Sequence, residues 1–190
     1  MAHDVCPWWL GYLLINPIRR FRHNPRRILA PHIKDGMTVL EPGPGMGFFT
    51  IEATRMVGPS GRVVAIEVQK KMIDSLRRRL ERRHLSSRTD LRLAQPNEMG
   101  TADLKNRVDF VLAFAVVHEM PDQETFFKEC FTVLKSGGRI LFSEPSNHIG
   151  KAEFEGSILL ARKVGFSVEG EPLIPSSTSA ILLKTGKTRG

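Results

Sequence analysis

The sequence has 190 residues, of which 41% are hydrophobic, so it is long enough for one compact domain with a core and too short for two full ones. Lys and Arg number 28 and Asp and Glu number 20, which gives a formal net charge of +8 at pH 7. The two cysteines, Cys6 and Cys130, exclude a disulfide scaffold and a zinc site built from cysteines, and they favour a reducing compartment.

The chain opens with an apolar, aromatic segment, "CPWWLGYLLINP". Its run from Trp8 to Ile15 is far shorter than the roughly 20 residues that cross a bilayer. Positive charges follow this run and no small-residue cleavage site is evident, which is unlike a secretory signal. We therefore expect a cytoplasmic protein without a transmembrane segment.

Short apolar runs then alternate with stretches of helical periodicity. The predicted strands are Met37–Glu41, Arg62–Glu67, Leu91–Ala94, Val108–Ala115, Arg139–Ser143, Phe166–Val168 and Ala180–Lys184. The predicted helices are Phe48–Val57, Lys70–His84, a helix capped by Asp122 and ended by Gly137 and Gly138, and Lys151–Val164. This order predicts an α/β fold, a three-layer sandwich with a mostly parallel seven-stranded sheet whose last two strands form an antiparallel hairpin. Cys130 follows the apolar helical spacing and is predicted to lie in the core.

Positive charge is concentrated in two basic clusters. Either cluster is compatible with a solvated face of a basic protein, or with a surface that attracts phosphates, anionic lipids or an acidic partner. The first consists of Arg19, Arg20, Arg22, Arg26, Arg27 and Lys34, and the second of Lys70, Lys71, Arg77, Arg78, Arg79, Arg82, Arg83, Arg88 and Arg92.

The stretch "VLEPGPGMGFFT", Val39 to Thr50, places three glycines at the end of the first predicted strand. Glycine adopts positive φ and exposes bare backbone, so a ligand can approach the sheet closely here. Phe48 occupies the place of the third glycine in the dinucleotide fingerprint G-x-G-x-x-G, and the Gly-Lys-Ser/Thr of a phosphate-binding loop is absent. The turn therefore predicts a small-ligand site of another kind.

Four segments in order resemble the class I S-adenosylmethionine-dependent methyltransferases. "LEPGPGMG" and "VVAIEV" are similar to the first two motifs of that family, in which an acidic residue is followed by G-x-G-x-G. "VDFVLAFAVVHEM" and "LKSGGRILFSEP" resemble its fourth-strand and fifth-strand segments, and the resemblance extends from about Asn24 to Lys184. It implies S-adenosyl-L-methionine as the methyl donor and S-adenosyl-L-homocysteine as its product.

The resemblance also assigns cofactor contacts. Glu41 and the glycine turn would hold the methionine half, and Glu67 would accept hydrogen bonds from both ribose hydroxyls, as a carboxylate can. Where the family often has an acid that reads the adenine amino group, the sequence has "AQPNE", in which the Gln95 oxygen could accept and Pro96 offers no N–H. The full set of predicted cofactor-binding residues is Glu41, Gly43, Pro44, Gly45, Gly47, Glu67, Val68, Gln95, Pro96, Phe114 and Ala115.

Candidate catalytic residues follow the fourth and fifth predicted strands, which neighbour each other in the resembling fold. They are His118, Glu144 and His148, with His118 placed first as a general base or substrate contact because histidine takes up a proton near neutral pH. Methyl transfer needs a base only when the acceptor must lose a proton, and otherwise depends on alignment of the reactants.

The aromatic N-terminal segment has no place in the predicted sheet. The resemblance suggests that residues 1–30 form a helical lid over the cofactor, ahead of a methyltransferase domain at 31–190, with Trp9 and Tyr12 contacting the substrate. A core-packing helix and an interfacial membrane helix are the alternatives, and Asn16 and Pro17 interrupt the pattern that the membrane helix requires.

Motifs that are absent from the sequence narrow the range of expected methyl acceptors. The place of the Asn/Asp-Pro-Pro-aromatic motif that serves base amines is held by Phe114–Val117, and Ala115 and Val116 cannot bind magnesium. Arsenic methylation needs several cysteines. These absences favour a small-molecule acceptor, with no metal. The alternatives are an RNA or protein methyltransferase that docks through the basic clusters, and a module that binds the cofactor without turning it over.

Overall fold

The fold was analysed in a computed structural model, which describes residues 23–95 and 98–185. Trp9, Tyr12 and most of the predicted lid lie outside the described residues, as does Pro96. The chain divides into two compact units between Met99 and Gly100.

The first unit contains three parallel strands in the order β3-β2-β1. Helices α2 and α3 pack against β2, and α3 also packs against β3. The elements are α1 (Pro25–Leu29), β1 (Thr38–Pro42), α2 (Thr50–Met56), β2 (Arg62–Glu67), α3 (Lys70–Glu81), a short 3-10 turn (Ser86–Arg88) and β3 (Thr89–Leu93).

Burial explains why these segments fold as they do. Strands β1 and β2 are apolar on both faces and are buried almost throughout, as parallel strands covered by helices are. Helix α3 is amphipathic: its apolar side includes Leu76 and Leu80, which join Ile51 and Ala65 in a buried cluster. Its arginines lie on the opposite, more exposed side. The helix ends at Glu81 and not at the predicted His84, because His84 adopts a positive φ of 55°.

The second unit contains four strands in the order β4-β5-β7-β6. Strands β4 and β5 are parallel, whereas β7 is antiparallel to both β5 and β6. The elements are β4 (Val108–Phe114), α4 (Gln123–Val133), β5 (Leu134–Pro145), α5 (Lys151–Val164), β6 (Phe166–Gly170) and β7 (Ser177–Lys184), with 3-10 turns at Ala102–Leu104 and Val117–Glu119.

Helix α4 begins as predicted and ends earlier than predicted. The Asp122 carboxylate caps it by accepting a hydrogen bond of 3.0 Å from the Thr125 N–H. The prediction that Gly137 and Gly138 mark its end is wrong, because the helix ends at Val133 and both glycines lie within β5. The pairing of β4 with β5 shifts register there, between Val108 and Phe110, and Gly137 supplies the positive φ of 75° at the irregularity.

Aromatic side chains form the core of the second unit. Phe127 packs edge-on against Phe142 with ring centroids 5.8 Å apart, and Phe142 stacks on Phe154 at 4.6 Å. Cys130 is fully buried in the same unit, which confirms that it is a core residue, and burial raises the pKa of its thiol.

The predicted fold class is confirmed: the described part of the chain contains seven strands, most of them parallel, and the last two form an antiparallel pair. The observed last residue of each strand lies within about three residues of the predicted one, whereas β5 and β7 begin earlier than predicted. Among the described residues, none of the helices combines the length and the apolar character needed to span a membrane.

Candidate cofactor and catalytic sites

The glycine turn, Gly43 to Gly47, follows β1 and has the backbone that only glycine adopts readily. Gly43, Gly45 and Gly47 have φ values of 64°, 54° and 84°. A Cβ on Gly47 would lie 2.3 Å from the Cδ1 of Leu76, so helix α3 packs directly on the bare backbone. The Gly43 N–H donates to the Ile66 carbonyl at 2.9 Å, which ties the turn to the end of β2. The turn is thus a fixed shape with main-chain atoms at its surface.

Glu67, the last residue of β2, is buried and points back toward this turn. Its Oε2 accepts a hydrogen bond from the Gly45 N–H at 3.1 Å. Its Oε1 accepts from the N–H groups of Val68 and Gln69 at 2.9 Å and 3.0 Å. Burial raises the pKa of this carboxyl, and the three backbone donors oppose that shift by favouring the charged form. Glu67 therefore connects the glycine turn to the start of the next helix.

Glu41 lies at the end of β1 and has a different environment. It is 4% exposed, and its Oε2 has no hydrogen-bond partner among the described residues. Burial raises its pKa to about 7, and the negative charge of Glu67 adds to that shift. The nearby Thr50 hydroxyl favours the charged form but does not reach hydrogen-bond geometry with it. A buried carboxylate oxygen without a donor is costly, and it is suited to a ligand that brings one.

The remaining predicted cofactor residues differ in burial. Pro44 is buried within the turn, Val68 is 40% exposed, and Gln95 is exposed and forms an isolated bridge with Glu98. In the second unit, Phe114 ends β4 and Ala115 follows it, with a φ of 54° and an N–H that donates to the Ser143 carbonyl at 2.7 Å. A non-glycine residue in this conformation is strained, which is typical of functional sites.

In the second unit, Glu144 and His118 form a hydrogen-bonded pair. Glu144 is 2% exposed, and its Oε1 accepts from the N–H groups of Val117 and His118 at 2.8 Å and 3.1 Å. Its Oε2 lies 2.6 Å from the Nδ1 of His118. Because an ionised carboxylate only accepts, Nδ1 carries a proton and the Nε2 of neutral His118 has a lone pair. Glu144 thus fixes the orientation and the tautomer of the imidazole.

The surroundings of His118 make it more basic. The hydrogen bond that His118 donates to Glu144 raises the pKa of His118, partial burial opposes this shift, and the charges of Glu144, Glu119 and Glu153 reinforce it. The Nε2 lies 4.0 Å from the Oε1 of Glu119, and the ring of His148 is stacked beside it with centroids 6.5 Å apart. The three predicted catalytic residues therefore lie together, and the His118 side chain is 21% exposed.

The sequence indicated these residues individually but not the contacts that join them. Glu144 and His118 are separated by 26 residues and meet because β4 and β5 are parallel neighbours whose carboxyl ends lie at the same edge. No sequence signal predicted that Glu144 would be buried, that Ala115 would be strained, or that Glu41 would lack a donor.

Comparison with known proteins places the chain in a family. Residues 33–164 match the family model described as a methyltransferase domain. Arsenite methyltransferase from Halobacterium salinarum is 30% identical over 64% of this chain, and demethylmenaquinone methyltransferase from Lactococcus lactis is 30% identical over 63%. A SAM-dependent methyltransferase from Aquifex aeolicus has the same fold, with a TM-score of 0.84 and 22% identity over 95% of this chain and 100% of that one.

The two curated relatives are longer than the region that matches. The aligned part spans 30% of the Halobacterium protein and 48% of the Lactococcus protein. The family model nevertheless covers well over half of the chain, including the glycine turn, Glu67 and the His118–Glu144 pair. The chain therefore belongs to the methyltransferase-domain family, as a class I S-adenosylmethionine-dependent methyltransferase.

Proposed function

We propose that this chain methylates a small-molecule acceptor that carries an acidic hydroxyl group, such as a phenol or quinol, with S-adenosylmethionine as the donor. The observation that carries the proposal is the His118–Glu144 pair, in which a partly exposed histidine is held through Nδ1 by a buried carboxylate. Such an arrangement serves to remove a proton from a substrate. An acceptor without an acidic proton would not need it.

The residues around the glycine turn of the first unit are suited to bind the methyl donor. The methionine half of S-adenosylmethionine carries an ammonium group, and the buried Oε2 of Glu41, which no described residue donates to, is suited to accept from it. The bare backbone of the glycine turn allows close approach, and the ribose hydroxyls would bind Glu67 in exchange for, or beside, the Gly45 N–H. When bound, the cofactor supplies a methyl group on a positively charged sulfur.

The role of Glu41 predicts a pH dependence of binding. Its pKa of about 7 lies above the ordinary 4.5, so the protonated form stabilises the unliganded fold, and this contribution is lost as pH rises through 7. An ammonium ligand needs the ionised form. We expect the affinity for S-adenosylhomocysteine, measured by calorimetry, to rise about tenfold between pH 6 and pH 8.

The variant Glu41→Gln should bind more weakly and lose this pH dependence. Glu81→Gln, which removes a charge from an exposed position at the end of α3, is the control and should keep it. A wild-type affinity that stays flat across this range would contradict the assigned role of Glu41.

In the second unit, His118 would take the proton of the acceptor hydroxyl at Nε2. The resulting imidazolium keeps its Nδ1–H bond to Glu144, whose negative charge stabilises it. Since two backbone N–H groups also hold that carboxylate, it stays in place while the proton moves. The deprotonated oxygen then makes the acceptor more nucleophilic, either at oxygen or at a ring carbon conjugated with it.

The two relatives are named for substrates of different chemistry. One relative is named for arsenite, and a thiophilic substrate of this kind needs exposed thiols. The sequence has two cysteines, Cys6 and Cys130, and Cys130 is fully buried. Another relative is named for demethylmenaquinone, whose reduced ring carries hydroxyl groups. The histidine–carboxylate pair therefore favours a quinol-like acceptor over arsenite.

The proposal is tested by following the formation of S-adenosylhomocysteine in the presence of acceptor panels. We expect turnover with phenols or reduced quinones and none with arsenite. Turnover only with an RNA or a protein would favour the docking alternative. Tight cofactor binding without turnover on any acceptor would instead identify a binding module and overturn the proposal.

A further inference from the structure

A second candidate site lies in the first unit, beside the glycine turn, and its charged side chains have no role in the proposed chemistry. A cleft of about 180 Å³ is lined by residues of α1, α2 and α3, by Arg83 just after α3, and by the end of the glycine turn with Phe48. Three of the described lining residues are arginines, Arg55, Arg79 and Arg83, against a single acid, Glu52. The cleft therefore has an excess of positive charge.

The arginines are held in place by local contacts. Arg79 donates from Nη1 to the Met46 carbonyl in the glycine turn. Arg83 donates from Nη1 to the Arg79 carbonyl at 3.0 Å, and Arg55 donates to Glu52 at 3.2 Å. A guanidinium has five N–H donors, so one contact each leaves Arg55 and Arg83 with further donors to offer.

Size and charge together indicate the ligand. The cleft is smaller than the roughly 300–1,000 Å³ that encloses a drug-sized molecule, so it suits a small group or the end of a larger ligand. Three guanidinium groups around one cleft repel one another, and a multiply charged anion relieves that repulsion. The planar fork of arginine matches the oxygens of phosphate well.

We propose that this cleft binds a phosphoryl group, from either a small phosphorylated ligand or an RNA backbone. The proposal is independent of the methyl acceptor. Both sources offer the same chemistry, and they differ in how binding depends on length and salt, because a nucleic acid releases more counterions as more phosphates are bound.

Calorimetric titration of the full chain with pyrophosphate and with a 12-nucleotide single-stranded RNA tests the proposal. We expect saturable binding of at least one probe at 50 mM salt. Arg83→Gln and Arg55→Gln should each weaken it about tenfold, as expected for loss of a charged hydrogen bond. Arg77→Gln, which removes the same charge from an exposed position of α3 outside the cleft, should change it less than about twofold.

The two probes distinguish the sources. Tighter binding of RNA with a steeper salt dependence would assign the cleft to an RNA backbone, and preferential binding of pyrophosphate would assign it to a small ligand. Absence of binding by both probes would overturn the proposal. An equal loss in Arg77→Gln and Arg83→Gln would also overturn it, because it would indicate diffuse surface charge.

Discussion

We expect Glu144→Gln to reduce methyl transfer to a hydroxyl acceptor by about 10²-fold or more, within the 10²–10⁴ range that general acid–base catalysis supplies. The amide keeps the size of the carboxylate, and its oxygen can still accept from the Val117 and His118 N–H groups. Its NH₂ group then faces Nδ1, which favours the tautomer with the proton on Nε2. In that form His118 has no lone pair to offer the acceptor.

A purely structural role for Glu144 would not produce the accompanying pH effect. Glu144 raises the pKa of His118, so the base-dependent rate should rise with pH through that raised value. In Glu144→Gln, the His118 pKa followed by NMR should fall, and the residual rate should reach its plateau at lower pH. The pair also stabilises the fold below pH 6.5, and this contribution is lost as pH rises through the raised pKa.

Glu119→Gln provides the matched control. Its Oε1 lies 4.0 Å from the Nε2 of His118, so the variant removes a nearby charge but not the hydrogen bond that orients the ring. We expect a smaller change of the His118 pKa in the same direction. If the rate and the His118 pKa were the same in Glu144→Gln as in the wild type, the general-base assignment would be wrong.

The second large effect is expected at Glu67. Glu67→Ala should weaken binding of S-adenosylhomocysteine about 100-fold or more, because two hydrogen bonds from ribose to a charged acceptor are worth about 1.5–3 kcal/mol each. The variant also leaves the Gly45, Val68 and Gln69 N–H groups without their acceptor, which loosens the glycine turn. Calorimetry at fixed pH measures the affinity directly.

Two further variants separate these contributions. Glu67→Gln keeps the shape and one acceptor oxygen, so its loss should be intermediate between the wild type and Glu67→Ala. Glu81→Ala removes an acid from an exposed position of the same unit and should leave the affinity within about twofold. Equal affinities of Glu67→Ala and the wild type would show that the ribose binds elsewhere.

The fold was largely predictable because its signals are local. Apolar runs such as Val63–Ile66 and Phe110–Phe114 occur in strands buried on both faces, and the amphipathic pattern of α3 is typical of a helix. The start of β5 was not predictable in this way. Leu134 continues the helical spacing of α4, and only its pairing with Val108 assigns it to the strand.

The site was predictable in composition but not in geometry. The glycine turn and Glu67 are adjacent to strand ends, so the sequence indicates where a ligand lies. The state of each carboxylate depends on contacts between distant segments: Glu67 accepts from Gly45, 22 residues away, whereas the buried Oε2 of Glu41 has no donor within residues 23–95 and 98–185. Periodicity carries no information on such pairings, which is why Glu41 and Glu67 are alike in the sequence and differ in the structure.

Thermal unfolding in the presence of S-adenosylmethionine, S-adenosylhomocysteine or NAD tests most directly whether the glycine turn with its two carboxylates is an adenosyl-cofactor site. A ligand at 100 times its dissociation constant stabilises a fold by about 2.7 kcal/mol. We predict that both adenosyl compounds raise the melting temperature of the wild type and that NAD does not. A rise with NAD alone would contradict the central claim.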